Sequence, residues 1–167
     1  MPLAYVALGS NLGDPLAQLR QARLELEQLG EVALASSLYR TLPVGGPPGQ
    51  ADYLNAVVAL KPVAPDPEAL LGDLLGLEAR QGRTRAARWA ARTLDLDLLA
   101  WDDMVLETPR LTLPHPRMLE RAFVLGPLCE LSPEWRHPLT RRSACETLAS
   151  LDPSGVLRTA LAWTPPR

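Results

Sequence analysis

Arg92-Thr93-Leu94-Asp95-Leu96-Asp97-Leu98-Leu99 places an acidic residue at every second position between leucines, the alternation of a β-strand. Leu94, Leu96 and Leu98 share one face, while Asp95, Asp97 and Leu99 share the other. A rise of about 3.3 Å per residue sets the two aspartate Cα atoms roughly 7 Å apart with parallel side chains. Carboxylates so close repel each other and are costly to bury unpaired. Divalent cations between them remove that cost. The thirteen residues from Arg80 to Arg92 carry five arginines, at 80, 83, 85, 88 and 92, and no acid. An acidic pair beside an arginine block suits a phosphate chain gripped by metal on one side and guanidinium on the other. An edge strand whose aspartates are salt-bridged to nearby arginine fits the same letters, and the stretch alone does not choose.

Outward from that strand, the 167 residues are read as one domain, 1–167, large enough for a real core. With 47% hydrophobic and 22% charged residues the composition is that of a globular protein. A net charge of -2 argues against a general nucleic-acid binder, the arginine block being a local exception. Cys129 and Cys145 lack metal-ligand spacing and are expected to be buried free thiols in a reducing compartment. No secretory signal opens the sequence and no apolar run nears the roughly 20 residues that span a bilayer, so a cytoplasmic protein without membrane contact is expected. Lys61 is the sole lysine against sixteen arginines, with 17 prolines and two asparagines. That composition suits heat tolerance, and biased codon usage gives the same pattern.

Leu3–Leu8 reads as a strand; Asp14-Pro15 then gives N-cap and N1 of an amphipathic helix closing near Gly30. Val32–Arg40 reads as a second strand, residues 41–50 as a long Pro/Gly loop, and Asp52–Leu60 as a third strand. In that third strand Tyr53, Asn55, Val57 and Ala59 face one way and Leu54, Ala56, Val58 and Leu60 the other. Tyr53 beside Asn55 suits a flat heterocycle, since a ring stacks and an amide both donates and accepts; ordinary cross-strand contacts suit them too. Asp66-Pro67 opens a second helix to about Gln81 with Gly82 at its C-cap, and the Asp strand follows. Further on, 117–128 and 144–151 read as helices and 156–163 as a last strand. The order through Trp101 is βαββαβ, so the expected fold is α+β: a ferredoxin-like core with a mainly antiparallel sheet, helices on one face and C-terminal additions.

Taken together, Ala7-Leu8-Gly9-Ser10-Asn11-Leu12-Gly13, Asp52-Tyr53-Leu54-Asn55-Ala56, Glu78 with Gly82-Arg83, Arg88-Trp89 through Asp97, and Leu113-Pro114-His115-Pro116 resemble one family. It is the 6-hydroxymethyl-7,8-dihydropterin pyrophosphokinases of folate biosynthesis, and the resemblance runs from about residue 3 to 135. The resemblance implies an enzyme that transfers pyrophosphate from ATP to the pterin hydroxymethyl oxygen and releases AMP. It implies two Mg²⁺ ions on Asp95 and Asp97, with Arg85, Arg92 and Asp97 carrying catalysis. ATP would meet Arg83, Arg85, Arg88, Trp89, Arg92, Leu98, Arg110, Thr112, His115 and Arg121. The pterin would lie between Tyr53 and Phe123, with Thr41, Val44, Asn55, Trp89 and Asp95 around it. A monomer binding only these small molecules is implied.

Departures from the family pattern are Leu42 in place of a proline, Pro116 where many members carry Tyr, and Leu75 where some carry a polar residue. Two other readings fit the residues. Another Mg²⁺-dependent nucleotidyl or phosphoryl transferase would use the Asp pair without needing Tyr53 and Phe123. A ferredoxin-like ligand- or RNA-binding module would use the arginine block as a docking surface and show salt-sensitive binding.

Overall fold

The computed structural model describes residues 2–11, 13–42, 52–84 and 94–164, with backbone alone at 82–84. Strand β1 (Ala4–Ser10) leads to helix α1 (Pro15–Leu26), strands β2 (Gly30–Ala35), β3 (Tyr39–Thr41) and β4 (Tyr53–Pro62), helix α2 (Pro67–Thr84) and strand β5 (Asp95–Trp101). A two-stranded ribbon, β6 (Leu106–Glu107) with β7 (Thr112–Leu113), comes next. Helix α3 (Ala122–Leu131), helix α4 (Ala144–Leu148) and strand β8 (Val156–Arg158) complete the order. The main sheet runs β5-β1-β4-β3-β8, with β2 also on β4, and each pairing is antiparallel. Both helix starts read from Asp-Pro hold: Asp14 Oδ1 accepts from the Ala17 amide at 3.1 Å and Asp66 Oδ1 from the Ala69 amide at 2.9 Å.

The period-two readings of β4 and β5 sort the sheet's faces. Leu54, Ala56, Val58, Leu60, Leu94, Leu96 and Leu98 point into one core with Leu19, Leu26, Leu70, Leu74 and Leu77 of α1 and α2. Val57, Ala59 and Leu99 point into a second core with Val124, Leu125 and Leu128 of α3 and Ala144 of α4. Helices therefore cover both faces, and the C-terminal third builds the second cover. Within β5 the register against β1 slips by one residue, since Tyr5 faces Ala100 and Val6 faces Leu98. Leu99 is the extra residue, and its carbonyl accepts from the His115 amide at 2.8 Å.

Four expectations are corrected. The single strand over 32–40 is two, because side chains take over the backbone partners between them. Ser36 Oγ accepts from the Val57 amide at 3.0 Å, and the Glu130 carboxylate captures the Ser37 amide at 2.9 and 3.1 Å. Helix α2 passes through Gly82 to Thr84 instead of stopping there, at a cost of about 1 kcal/mol relative to alanine. The last strand ends at Arg158; beyond it Thr159 Oγ1 donates to the Leu38 carbonyl at 2.7 Å and Trp163 Nε1 to that of Ser36 at 2.8 Å. Cys129 and Cys145 are joined by a disulfide with Cα atoms 4.9 Å apart, not free. Nothing in their spacing announces it; α3 and α4 meet on the same face of the sheet and bring the cysteines within bridging distance.

Candidate functional site

At one end of the sheet, β1, β4 and β5 meet around Gly9, which faces Asn55 on one side and Asp95 on the other. A cavity of about 390 Å³ opens there, lined by Ala7, Leu8 and Gly9 of β1, Thr41 and Leu42, Tyr53 and Asn55 of β4, Asp95 and Asp97 of β5, and Arg121 and Phe123. That volume is in the range of small-molecule sites. The two aspartates are here because β5 alternates: with Leu96 and Leu98 in the core, Asp95 and Asp97 must face the opposite side. Thr41 Oγ1 donates to Asn55 Oδ1 at 2.6 Å, which fixes the orientation of an amide that is 7% exposed. Arg121, at the N-cap of α3, lies 3.7 Å from Asp97 Oδ2 and 5.7 Å from the centre of the Phe123 ring. The guanidinium thus ties the acidic strand to the aromatic wall.

Asp97 also forms part of a second cleft, of about 320 Å³, on the α2 side. Leu71, Leu75, Leu96, Leu98 and Leu111 make its apolar part, and Glu78, Thr108, Arg110, Thr112 and His115 its polar part. His115 is held by its backbone bond to bulged Leu99, while its Nδ1 accepts from the Arg117 amide at 3.1 Å. The ring proton of the neutral imidazole therefore sits on Nε2. Burial pushes the His115 pKa down and the Arg121 and Arg117 charges add to that, outweighing the opposite pull of Asp97. Glu78 Oε2 accepts from the Leu96 amide at 2.6 Å, anchoring the strand edge between the two aspartates.

Of the residues read from sequence, Thr41, Tyr53, Asn55, Asp95, Asp97, Arg121 and Phe123 come together in the cavity, and Leu98, Arg110, Thr112 and His115 with Asp97 in the cleft. Arg83 is in α2, described by backbone only, and Val44, Arg85, Arg88, Trp89 and Arg92 lie outside the described residues. Gly9, Leu42 and Glu78 were not read as site residues. Strand pairing alone brings Gly9 between Asn55 and Asp95, so only the register could have revealed it.

Among the described residues no three His, Cys, Asp or Glu side chains converge as a metal site. Mg²⁺ takes one or two carboxylates and completes its shell with water and phosphate oxygens, so the Asp95–Asp97 donor set fits it. Among the described residues, no helix is long and apolar enough to cross a membrane.

An aromatic cavity and a half-polar cleft that share one carboxylate suit a transferase holding two ligands side by side. Comparison with known proteins makes this particular. Residues 5–133 match the 7,8-dihydro-6-hydroxymethylpterin-pyrophosphokinase (HPPK) family, and the chain belongs to that family. It is 44% identical over 156 residues to the 2-amino-4-hydroxy-6-hydroxymethyldihydropteridine pyrophosphokinase of Pseudomonas aeruginosa, covering 92% of this chain and 94% of that one. The enzyme of the same name from Bacillus subtilis is 47% identical over 131 residues, 77% of each chain. That from Synechocystis sp. is 42% identical over 155 residues, 92% of this chain and 78% of the other. The Plasmodium falciparum HPPK-DHPS triple mutant with STZ-DHP shares the fold, with a TM-score of 0.71 at 14% identity over 89% of this chain. This chain spans 43% of that longer protein. The family's activity is ATP-dependent pyrophosphoryl transfer in folate biosynthesis, and the chain is an enzyme of this kind. The binding-module reading falls with that finding.

Proposed function

We propose that the chain moves the β,γ-pyrophosphoryl group of ATP onto the hydroxymethyl oxygen of 6-hydroxymethyl-7,8-dihydropterin, with the pterin in the cavity and ATP in the cleft. The observation that carries this assignment of ligands is Asp97, common to both walls. The pterin oxygen attacks the β-phosphorus, the bond from that phosphorus to the α,β-bridging oxygen breaks, AMP departs with that oxygen, and the hydroxyl loses its proton.

In such transfers the gain comes from positioning and charge neutralisation. Tyr53 and Phe123 hold the ring between them, and Asn55, oriented by Thr41, reads its edge together with the backbone around Val44. Leu98 and the neighbouring leucines face the adenine. Arg110, Thr112 and His115 meet the phosphates, the last through its Nε2–H, and Arg121 spans both substrates. In this reading Arg83, Arg85, Arg88, Trp89 and Arg92 contact ATP, Arg85 and Arg92 at its phosphates. Asp95 and Asp97 would hold two Mg²⁺ ions. When bound, Mg²⁺ neutralises the triphosphate and polarises the attacking hydroxyl.

The same reading takes residues 1–167 as one monomeric, cytoplasmic domain with a ferredoxin-like core, β2 and β3 together filling the place of its second strand. A disulfide in a cytoplasmic chain suits heat-adapted proteins. The test is a product assay with ATP, Mg²⁺ and 6-hydroxymethyl-7,8-dihydropterin. Pterin-dependent AMP is the expected product; pterin-dependent ADP, or AMP formed equally without pterin, overturns the reading.

A further inference from the structure

We infer that Gly9 is a positioning residue for substrate selection: the missing side chain leaves the space into which the Asn55 amide is set, an inference that rests on the pterin reading above. A Cβ built on Gly9 would stand 2.8 Å from Asn55 Nδ2, well inside the 3.5–4.0 Å at which heavy atoms attract. The next atoms it would meet, Asn55 Cγ and the Leu54 carbonyl oxygen, are at 4.0 Å, so the amide nitrogen alone is in the way. The other end of that amide is fixed, since Asn55 Oδ1 takes the Thr41 hydroxyl hydrogen at 2.6 Å. Asn55 is 7% exposed and cannot swing out into solvent without leaving its place in the cavity wall.

Backbone conformation does not account for this glycine. Gly9 lies inside β1 with strand partners on both sides, and the positive-φ glycines among the described residues are Gly13 and Gly30. In a strand interior, alanine is favoured over glycine. Gly9→Ala therefore leaves the chain folded and moves one side-chain end, that of Asn55. The amide must turn away from the direction in which it meets a ring edge, which weakens recognition of the heterocycle and leaves the α2-side cleft untouched.

The test is steady-state kinetics on wild type, Gly9→Ala, Asn55→Ala and the double variant, with melting curves for each. Gly9→Ala is expected to raise the KM for 6-hydroxymethyl-7,8-dihydropterin about tenfold or more, with the KM for ATP within about twofold and the melting temperature unchanged or higher. In the Asn55→Ala background the same substitution is expected to cost less than about twofold in kcat/KM, because no amide is left to displace. An unchanged pterin KM overturns the inference. So does a penalty of the same size in the absence of Asn55, which would mean that the methyl touches the ligand itself. A Gly9→Ala chain without a melting transition makes the glycine structural and also overturns it. Wild-type protein that forms no pterin-dependent AMP instead brings down the functional reading, and this inference with it.

Discussion

Asp97 faces the cavity, the cleft and the Arg121 guanidinium at once, so with the ligands placed as proposed, changing it reaches both. Asp97→Asn keeps the shape and removes the charge. The expected loss is several kcal/mol of charge stabilisation, about a thousandfold in kcat, read as AMP release at saturating substrates. More than about a tenth of wild-type turnover would remove Asp97 from the metal site. The fold is expected to survive, because the aspartate side chain is 42% exposed and such ion pairs contribute about 0–1 kcal/mol. His115 makes a pH prediction. Its folded pKa is lowered, so the stability it contributes is complete above its ordinary value near pH 6.5 and is lost as pH falls through the lowered value. Urea unfolding at about pH 7.5 and about pH 5.5 should show a smaller loss in His115→Gln than in wild type. His137, lowered by burial, keeps that loss above zero. An equal loss in both proteins would refute the assignment.

Helix α3 is fixed at both ends, by Arg121 on Asp97 and by Glu130 on β3. Glu130 accepts from the Ser37 amide and hydroxyl and from the Tyr39 hydroxyl, and Arg158 of β8 sits 3.2 Å away. Burial pushes the Glu130 pKa up, but the Ser37 and Tyr39 hydrogen bonds and the Arg158 charge outweigh it and leave it lowered. Glu130→Gln is expected to cost about 2 kcal/mol, or a melting temperature lower by about 4–8 °C. A shift below about 1 °C in a thermal scan would show that the carboxylate's charge does not matter there. This network also marks the limit of what local pattern can tell. The alternation in β4 and β5 is legible because period two is a property of neighbouring letters, and it carried Tyr53, Asn55, Asp95 and Asp97 to the correct face. The break between β2 and β3 was not legible, because the carboxylate that takes the Ser37 amide lies 93 residues away. The bulge at Leu99, which holds His115, is likewise set by pairing with β1.

Across the whole molecule, one sheet separates two cores, and the Cys129–Cys145 bridge staples the helices of the second. With a sequence separation of 16 between the bridged positions, chain entropy alone predicts a contribution of about 3 kcal/mol. Reduction, or Cys145→Ser, is therefore expected to lower the melting temperature by about 6–12 °C. Equal melting curves with and without reductant would mean that the bridge adds no net stability. The cavity and the cleft, meanwhile, are not independent compartments, because Asp97 belongs to both. A wall shared by two guests makes each guest part of the other's surroundings. The first to arrive changes the field and the geometry that the second meets, and thermodynamics requires the second to return the same factor to the first. With the substrates placed as proposed, affinity for either is a property of the pair, and a constant measured for one alone describes only half of the binding cycle.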